Sequence, residues 1–218
     1  MKKLVLIAGM AVGFMACNSG DDNNQPSTTA SDSANPSANT INNDQGKGQN
    51  HMKALHEAMN TMMQQMQNMK HTGDADYDFA LMMKHHHQGA IDMARSEIAG
   101  GSDEQLRKIS EKLIKEQQKE NAQFEQFLQG NVPKGNSDFG QKAMGMMTPI
   151  SSIKMENSSI DAMFASMMIP HHTDALKMAK EYLQMGKNED LKKIARNILE
   201  TQPREIDELQ AWLNSQKK

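Results

Sequence analysis

The sequence has little of what a β-sheet protein needs. Valine occurs only three times in 218 residues, and Phe, Trp and Tyr together make up 4%. Because β-branched and aromatic side chains fill the pleated faces of sheets, this composition argues against all-β and α/β folds. The sequence also has no excess of basic residues, since it contains 24 Lys and Arg and 27 Asp and Glu. Binding to nucleic acid relies on basic surfaces, so we expect no nucleic-acid partner.

Cysteine occurs once, at Cys17, and its surroundings predict export. The short basic start Met-Lys-Lys at 1–3 precedes an apolar run at 4–16, which is too short to span a bilayer but suits a signal peptide. The Phe-Met-Ala-Cys sequence at 14–17 resembles the cleavage box of bacterial lipoproteins. We therefore expect loss of residues 1–16 and an envelope protein anchored by a lipidated Cys17, at the periplasmic face or the cell surface. The alternative is an ordinary secretory signal with an incidental Cys17.

The absence of any other cysteine leaves the exported chain without an intramolecular disulfide or a thiolate metal site. Methionine is the abundant apolar residue instead, with 21 Met against 13 Leu. Residues 17–50 are small or polar except for Ile41, and such a segment cannot bury enough apolar surface to offset its ordering entropy. We predict a disordered tether at 17–50 and a folded domain at 51–218.

The folded part contains an internal duplication at an offset of 85 residues. A block at 79–94 recurs at 164–179, and a second block at 106–128 recurs at 191–213. Chance does not align two blocks in one register without a gap, so the unit is duplicated.

Each unit has the apolar spacing of two amphipathic helices separated by a glycine break, at Gly100 and Gly101 or at Gly186. Ser102 is the expected N-cap of the second helix in the first unit. Two helix hairpins joined by a long connection predict an all-α fold, a four-helix bundle made of two duplicated helix-hairpin units. The predicted segments are units at about 76–128 and 160–214, a linker at 129–158, and an extra Met-rich N-terminal helix at about 51–70.

In each unit, two adjacent methionines precede two adjacent histidines by four residues. Side chains four residues apart lie on the same side of a helix, so Met82 lies beside His86 and Met83 beside His87. The second unit repeats the arrangement with Met167, Met168, His171 and His172. A helical projection places these imidazoles within the apolar face. Buried imidazoles need partners, because an unpaired buried polar group costs on the order of a few kcal/mol.

The second helix of each unit offers such partners. Gln117 and Glu120, repeated as Gln202 and Glu205, interrupt a stripe of Leu, Ile and aromatic residues. A carboxylate or amide that accepts the ring N–H fixes which nitrogen is free to bind a metal. A buried hydrogen-bond network that only specifies the packing is the alternative.

Thioether and imidazole groups without thiolate favour copper, Cu(I) in particular, with Cu(II) also possible. Zinc would prefer His with Cys or carboxylate ligands. The Glu-x-x-His pairs of di-iron bundles are absent. The Met-rich helix is a possible extra metal site through His51, Met52, His56 and Met59, unless its methionines simply fill the core.

The blocks at 78–94 (DFALMMKHHHQGAIDMA) and 167–172 (MMIPHH), with the Gln-x-x-Glu pairs at 117–120 and 202–205, resemble the domain-of-unknown-function 305 (DUF305) family. That family is ferritin-like and helical and includes periplasmic copper-binding proteins of the CopM type. The resemblance covers about 76–214 and implies extracytoplasmic copper binding. The metal ligands that it implies are Met82, Met83, His86, His87, Met93, Met167, Met168, His171, His172 and Met178.

We therefore expect a lipid-anchored, extracytoplasmic copper-binding protein for tolerance, storage or delivery, with one Met/His pocket in each half. A copper-accepting protein is a possible partner, and no arrangement of residues suggests an enzyme. The alternative from another class is a helical interaction module without a metal, whose Met-rich surface accepts a partner's helix. A weaker third hypothesis is a metal oxidase.

Overall fold

A computed structural model describes residues 37–156 and 159–217. The described residues contain α-helices and one short 3-10 turn but no strand, so the all-α prediction is confirmed. The helices are α1 (Ser37–Gln67), α2 (Ala75–Gly100), α3 (Glu104–Gly130), α4 (Phe139–Gly145), α5 (Ile160–Met185) and α6 (Glu189–Ser215). The predicted signal peptide and Cys17 lie outside the described residues. None of the described helices has the length and apolar character needed to cross a membrane.

The helices form a bundle with α2 and α5 at its centre. Helix α3 packs on α2, and α6 packs on α5, which gives the two predicted hairpins. Helix α1 lies mainly along α2, whereas α3 and α6 make little contact with each other. Phe79 of α2 stacks on Tyr182 of α5, with ring centroids 3.9 Å apart. Phe124 of α3 packs against the Phe79 ring in a T-shaped arrangement. Burial of these aromatic and methionine side chains ties the hairpins into one core.

The two hairpins are also joined by equivalent polar contacts. Asp76, in the first turn of α2, accepts hydrogen bonds from the backbone N–H groups of residues 187–188 at 2.7 and 3.1 Å. Asp161, its equivalent in α5, accepts from those of residues 102–103 at 2.9 and 2.8 Å. Each hairpin thus binds the turn of the other, as expected for two copies related by a pseudo-two-fold axis.

Three details differ from the sequence prediction. Helix α1 begins at Ser37, inside the predicted tether, because a helix that is already nucleated propagates by one hydrogen bond per added residue. The N-cap of α3 is Asp103, whose carboxylate accepts from two backbone N–H groups, while the Ser102 hydroxyl donates to Asp161. The linker contains α4, because Phe139 packs into the aromatic core beside Phe79.

Candidate metal centre

The four motif histidines meet at the contact between α2 and α5. His86, His87 and His172 have no exposed surface, and His171 is 2% exposed. The prediction that these rings face inward is therefore confirmed. The ring centroids of His86 and His171 are 3.7 Å apart, with 33° between the ring planes. The ring centroids of His171 and His172 are 5.9 Å apart.

This arrangement contradicts the expectation of a separate pocket in each half. His86 and His171 are equivalent residues of the two units, and their rings contact each other. Residues close to a two-fold axis must meet in this way, whereas a sequence repeat carries no information about where the axis passes. The two motifs therefore contribute to one shared cluster of imidazoles.

Hydrogen bonds fix the tautomers of two rings. His171 Nε2 lies 3.0 Å from the carbonyl oxygen of His86, and His87 Nε2 lies 2.7 Å from Glu120 Oε2. Both partners only accept, so each Nε2 carries the proton. The buried Nδ1 atoms of His87 and His171 have no hydrogen-bond partner, and neither does either ring nitrogen of His86. The Nδ1 atoms of His87 and His171 therefore present lone pairs inside the core, and neutral His86 presents one lone pair and one N–H without a partner.

His172 repeats the contact of His87 with looser geometry. Its Nε2 lies 3.1 Å from Glu205 Oε2, without the alignment of a hydrogen bond. The pairing of Glu120 and Glu205 with histidines agrees with the sequence analysis. Gln117 and Gln202 are buried but their Oε1 atoms have no hydrogen-bond partner, so the prediction that they accept from the rings is wrong.

The environment keeps the central rings neutral. Burial holds the pKa of His86 and of His171 well below the usual value, and the neighbouring imidazoles lower both further. A neutral imidazole with one N–H bonded has its second nitrogen free, which is the form that binds a metal ion.

The glutamates are held by equivalent residues with different charges. Lys112 Nζ donates to Glu205 Oε1 at 3.3 Å, and Asn197 Nδ2 donates to Glu120 Oε1 at 2.8 Å. Burial alone would raise the pKa of Glu205, but its contacts with His172 and Lys112 outweigh this and hold it below its usual value. Each donor comes from the opposite hairpin, so the two halves share this layer as well.

The predicted sulfur ligands lie in the same core. The side chains of the six methionines are at most 1% exposed, and they are Met82, Met83, Met93, Met167, Met168 and Met178. One methionine outside this set also approaches α2: a Cβ atom built on Gly89 would lie 2.8 Å from the Sδ of Met62 in α1. The sequence feature that could have indicated burial of Met62 is its helical spacing with Met59 and Met66.

The four residues of the possible extra site lie on α1. His51, Met52 and His56 are half-buried, and Met59 is buried. The His51 ring packs against Gly100, at the end of α2. Since a helix rises 1.5 Å per residue, this contact lies about 20 Å along α2 from His86. His51 is therefore separate from the central histidines.

In the described part of the chain, no group of three His, Cys, Asp or Glu side chains is arranged to hold a metal ion. A metal ion at the imidazole cluster would therefore need other ligands as well. Thioether sulfur from the surrounding methionines is the available donor. The residues present fit a soft cation, because the orphaned ring nitrogens are neutral and the methionines of the same core offer thioether sulfur.

Comparison with known proteins agrees with the duplication. The sequence profile of the family described as "Domain of unknown function (DUF305)" matches residues 20–128 and again residues 129–213. The chain belongs to the DUF305 family. Each of the two DUF305 matches contains one hairpin with its Met-His-His motif. No curated protein sequence matches the chain.

Solved structures share the DUF305 chain's helical fold. CopM in the Cu(I)-bound form is 23% identical, with a TM-score of 0.52, and the match covers 66% of this chain and 98% of that one. CopM in the Cu(II)-bound form is 25% identical with a TM-score of 0.51, covering 64% and 97%. CopM in an Ag-bound form is 24% identical with a TM-score of 0.51, covering 64% and 95%.

Proposed function

We propose that this protein binds copper, preferentially as Cu(I), at one centre shared by its two halves. The observation that carries the proposal is the group of orphaned ring nitrogens, which lie fully buried in a core rich in thioether. Leaving several polar atoms unsatisfied in a core costs stability, unless a ligand occupies them. The ligands would be His86, His87, His171 and His172, with sulfur from Met82, Met83, Met93, Met167, Met168 and Met178.

Two considerations favour copper over other metals. Thioether sulfur needs no deprotonation, so it binds Cu(I) in an oxidising compartment where a thiol would be at risk. The similar CopM structures were solved with Cu(I), Cu(II) and Ag, and Ag(I) shares the soft character of Cu(I). A bound metal would supply charge that the neutral rings lack and would cross-link the two hairpins.

The cellular role that we propose is copper tolerance, storage or delivery outside the cytoplasm. Lipidation of Cys17 would hold the protein at the envelope, and a copper-accepting protein would be its partner in delivery. A catalytic role is not part of the proposal. The Met-rich interaction module is disfavoured, because Val132 is the one large hydrophobic side chain found exposed among the described residues, and the motif methionines are buried.

A competition titration tests the proposal. The protein with Cys17→Ser, which removes the thiol as a Cu(I) ligand, is titrated against a chromophoric Cu(I) chelator. We expect the replacement of all four motif histidines by Ala to weaken binding at least 100-fold. The matched control is His85→Ala, which removes a half-buried neighbour in the same run. Equal affinity in the quadruple variant and the control would overturn the proposal, provided that circular dichroism shows both to be folded.

A further inference from the structure

Helices α3 and α6 lie side by side over the central pair and leave a cleft between them. The cleft has a volume of about 350 Å³ and is lined by Glu116, Lys119, Glu120, Gln123, Lys193, Ile194, Asn197 and Thr201. At its floor is a pocket of about 20 Å³, which is room for a single water molecule or ion. Residues of both hairpins line this floor in equivalent pairs, so it lies on the pseudo-two-fold axis.

The floor of the cleft is lined with oxygen atoms that lack partners. The side chains of Gln117 and Gln202 are each 4% exposed, and the Oε1 atom of each is buried without a hydrogen-bond partner. Glu120 and Glu205 line the same pocket. These four side chains, together with Glu116, Asn197 and Thr201, thus surround a space of ionic size with oxygen-bearing groups from both hairpins.

This floor connects the cleft to the buried rings. Glu120 lines both the cleft and the floor, and its Oε2 atom contacts His87 Nε2. Glu205 lines the floor and contacts His172. A cation that reaches the floor is one side chain away from the imidazole cluster. On the other faces of α2 and α5, helices α1 and α4 pack against them.

The two glutamates are not equally attractive to a cation. The ammonium group of Lys112 lies against Glu205 and neutralises it, whereas Glu120 receives only the uncharged amide of Asn197. Glu120 therefore carries a charge that no lysine or arginine contact offsets at the entrance to the rings, while Lys119 and Lys193 line the outer cleft with Glu116. Opposite charge at the end of a cleft raises the local cation concentration and speeds association.

We infer that the α3–α6 cleft is the route by which the metal ion reaches the histidine centre, and that Glu120, Gln117 and Gln202 form an oxygen-lined reception site on this route. The inference rests on the proposed copper binding. Oxygen ligands suit hard cations and hold Cu(I) only weakly. An ion received at the floor therefore passes on to the nitrogen and sulfur ligands below it.

Blocking the cleft tests the route. Thr201 lines both the cleft and its floor and is not one of the proposed His or Met ligands, so Thr201→Trp places a large side chain in the passage. The matched control is Thr61→Trp, at an exposed position on α1. Stopped-flow mixing with Cu(I) supplied by a chromophoric chelator gives the association rate, and excess chelator gives the dissociation rate. We expect Thr201→Trp to slow both rates at least tenfold, to leave Kd unchanged within twofold, and the control to match wild type.

Unchanged rates in a folded Thr201→Trp protein that binds with normal affinity would overturn the route. Failure of the wild type to bind Cu(I) would instead overturn the proposed function.

A second variant tests the charge and keeps the inference falsifiable if Thr201→Trp does not fold. Lys112→Asn gives Glu205 the same uncharged partner that Glu120 has, on an exposed side chain. We expect association at low salt to become about threefold faster, with the gain lost at high salt. The control Lys108→Asn removes another exposed charge of the same helix, one that has no contact with Glu205. Equal association rates for both lysine variants would contradict the reception site.

Discussion

Near the pseudo-two-fold axis the two halves share most of their residues, with Lys112 and Asn197 as an exception, and they differ more farther out. The histidines, the glutamates that contact them and the aspartates that bind the opposite turn occur in both halves at equivalent positions. The outer position Gly89 accommodates Met62 of α1, whereas its equivalent Asp174 accepts a hydrogen bond from the backbone N–H of Thr148 in the linker at 2.7 Å. The comparison shows that the histidine cluster is built from residues that both copies retain. The outer positions differ because each copy packs against a different neighbouring segment.

A second difference concerns one buried pair. The Tyr182 hydroxyl donates a hydrogen bond to Asp76 Oδ1 at 2.7 Å. Its equivalent Glu97 is 1% exposed, and neither of its carboxyl oxygens has a hydrogen-bond partner. Burial, followed by the charge of nearby Asp161, raises the pKa of Glu97 to about 8. A protonated Glu97 can donate a hydrogen bond to Asp161 as Tyr182 donates to Asp76. Each half thus places a buried donor next to its aspartate, a phenol in one half and a carboxylic acid in the other.

Removing the two aspartates should give the largest difference between the halves. Asp76→Ala deletes the acceptor for the Tyr182 hydroxyl and for two backbone N–H groups, and we expect a loss of about 3 kcal/mol in the free energy of unfolding. Asp161→Ala deletes the equivalent acceptor but also relieves Glu97 of a like charge. We expect it to cost about half as much. Urea denaturation at pH 8 measures both, and equal losses would contradict the proposed difference.

The pH dependence of stability should depend on Glu97. Its folded pKa lies above the usual value of 4.5, so the folded state retains the proton longer than the unfolded state. The stability that this provides is complete below about pH 4.5 and is lost as the pH rises through about 8. We expect Glu97→Gln to be more stable than wild type at pH 9 by roughly 2 kcal/mol, with little difference at pH 5.

The measurement for Glu97 is a series of denaturant titrations between pH 5 and 9, with the exposed Glu111→Gln as control. A constant offset between Glu97→Gln and wild type across that range would show that Glu97 does not change protonation there.

The smallest predicted effect comes from a substitution that gives Glu120 the same kind of partner as Glu205. Asn197→Lys gives Glu120 a cationic partner like the one that Glu205 has. We expect Cu(I) association to slow by about threefold at low salt, which corresponds to less than 1 kcal/mol, without a change in folding. Stopped-flow mixing measures this rate. Faster association would show that the charge of Glu120 does not attract the ion.

Much of the fold follows from local sequence. The period of the apolar residues predicts the four hairpin helices and the burial of His86, and the polar interruption at Glu120 predicts its contact with His87. These are properties of one helix or one hairpin, and helical geometry determines them.

The remaining features depend on contacts between distant segments. No local pattern shows that His86 stacks on His171, because this depends on where the two hairpins cross. The protonated role of Glu97 depends on its approach to Asp161, more than sixty residues away. The packing of Met62 on Gly89 likewise required the position of α1. Tertiary packing also decided the cap of α3, where Asp161 engages the hydroxyl of Ser102.

A Cu(I) titration of half-centre variants tests most directly whether the two halves form one centre. His86→Ala with His87→Ala removes the imidazoles of one half, and His171→Ala with His172→Ala removes those of the other. A shared centre predicts that either pair weakens the tight binding of every Cu(I) ion at the cluster by at least tenfold. Retention of half the bound Cu(I) at wild-type affinity in either variant would show two independent centres and would contradict the account.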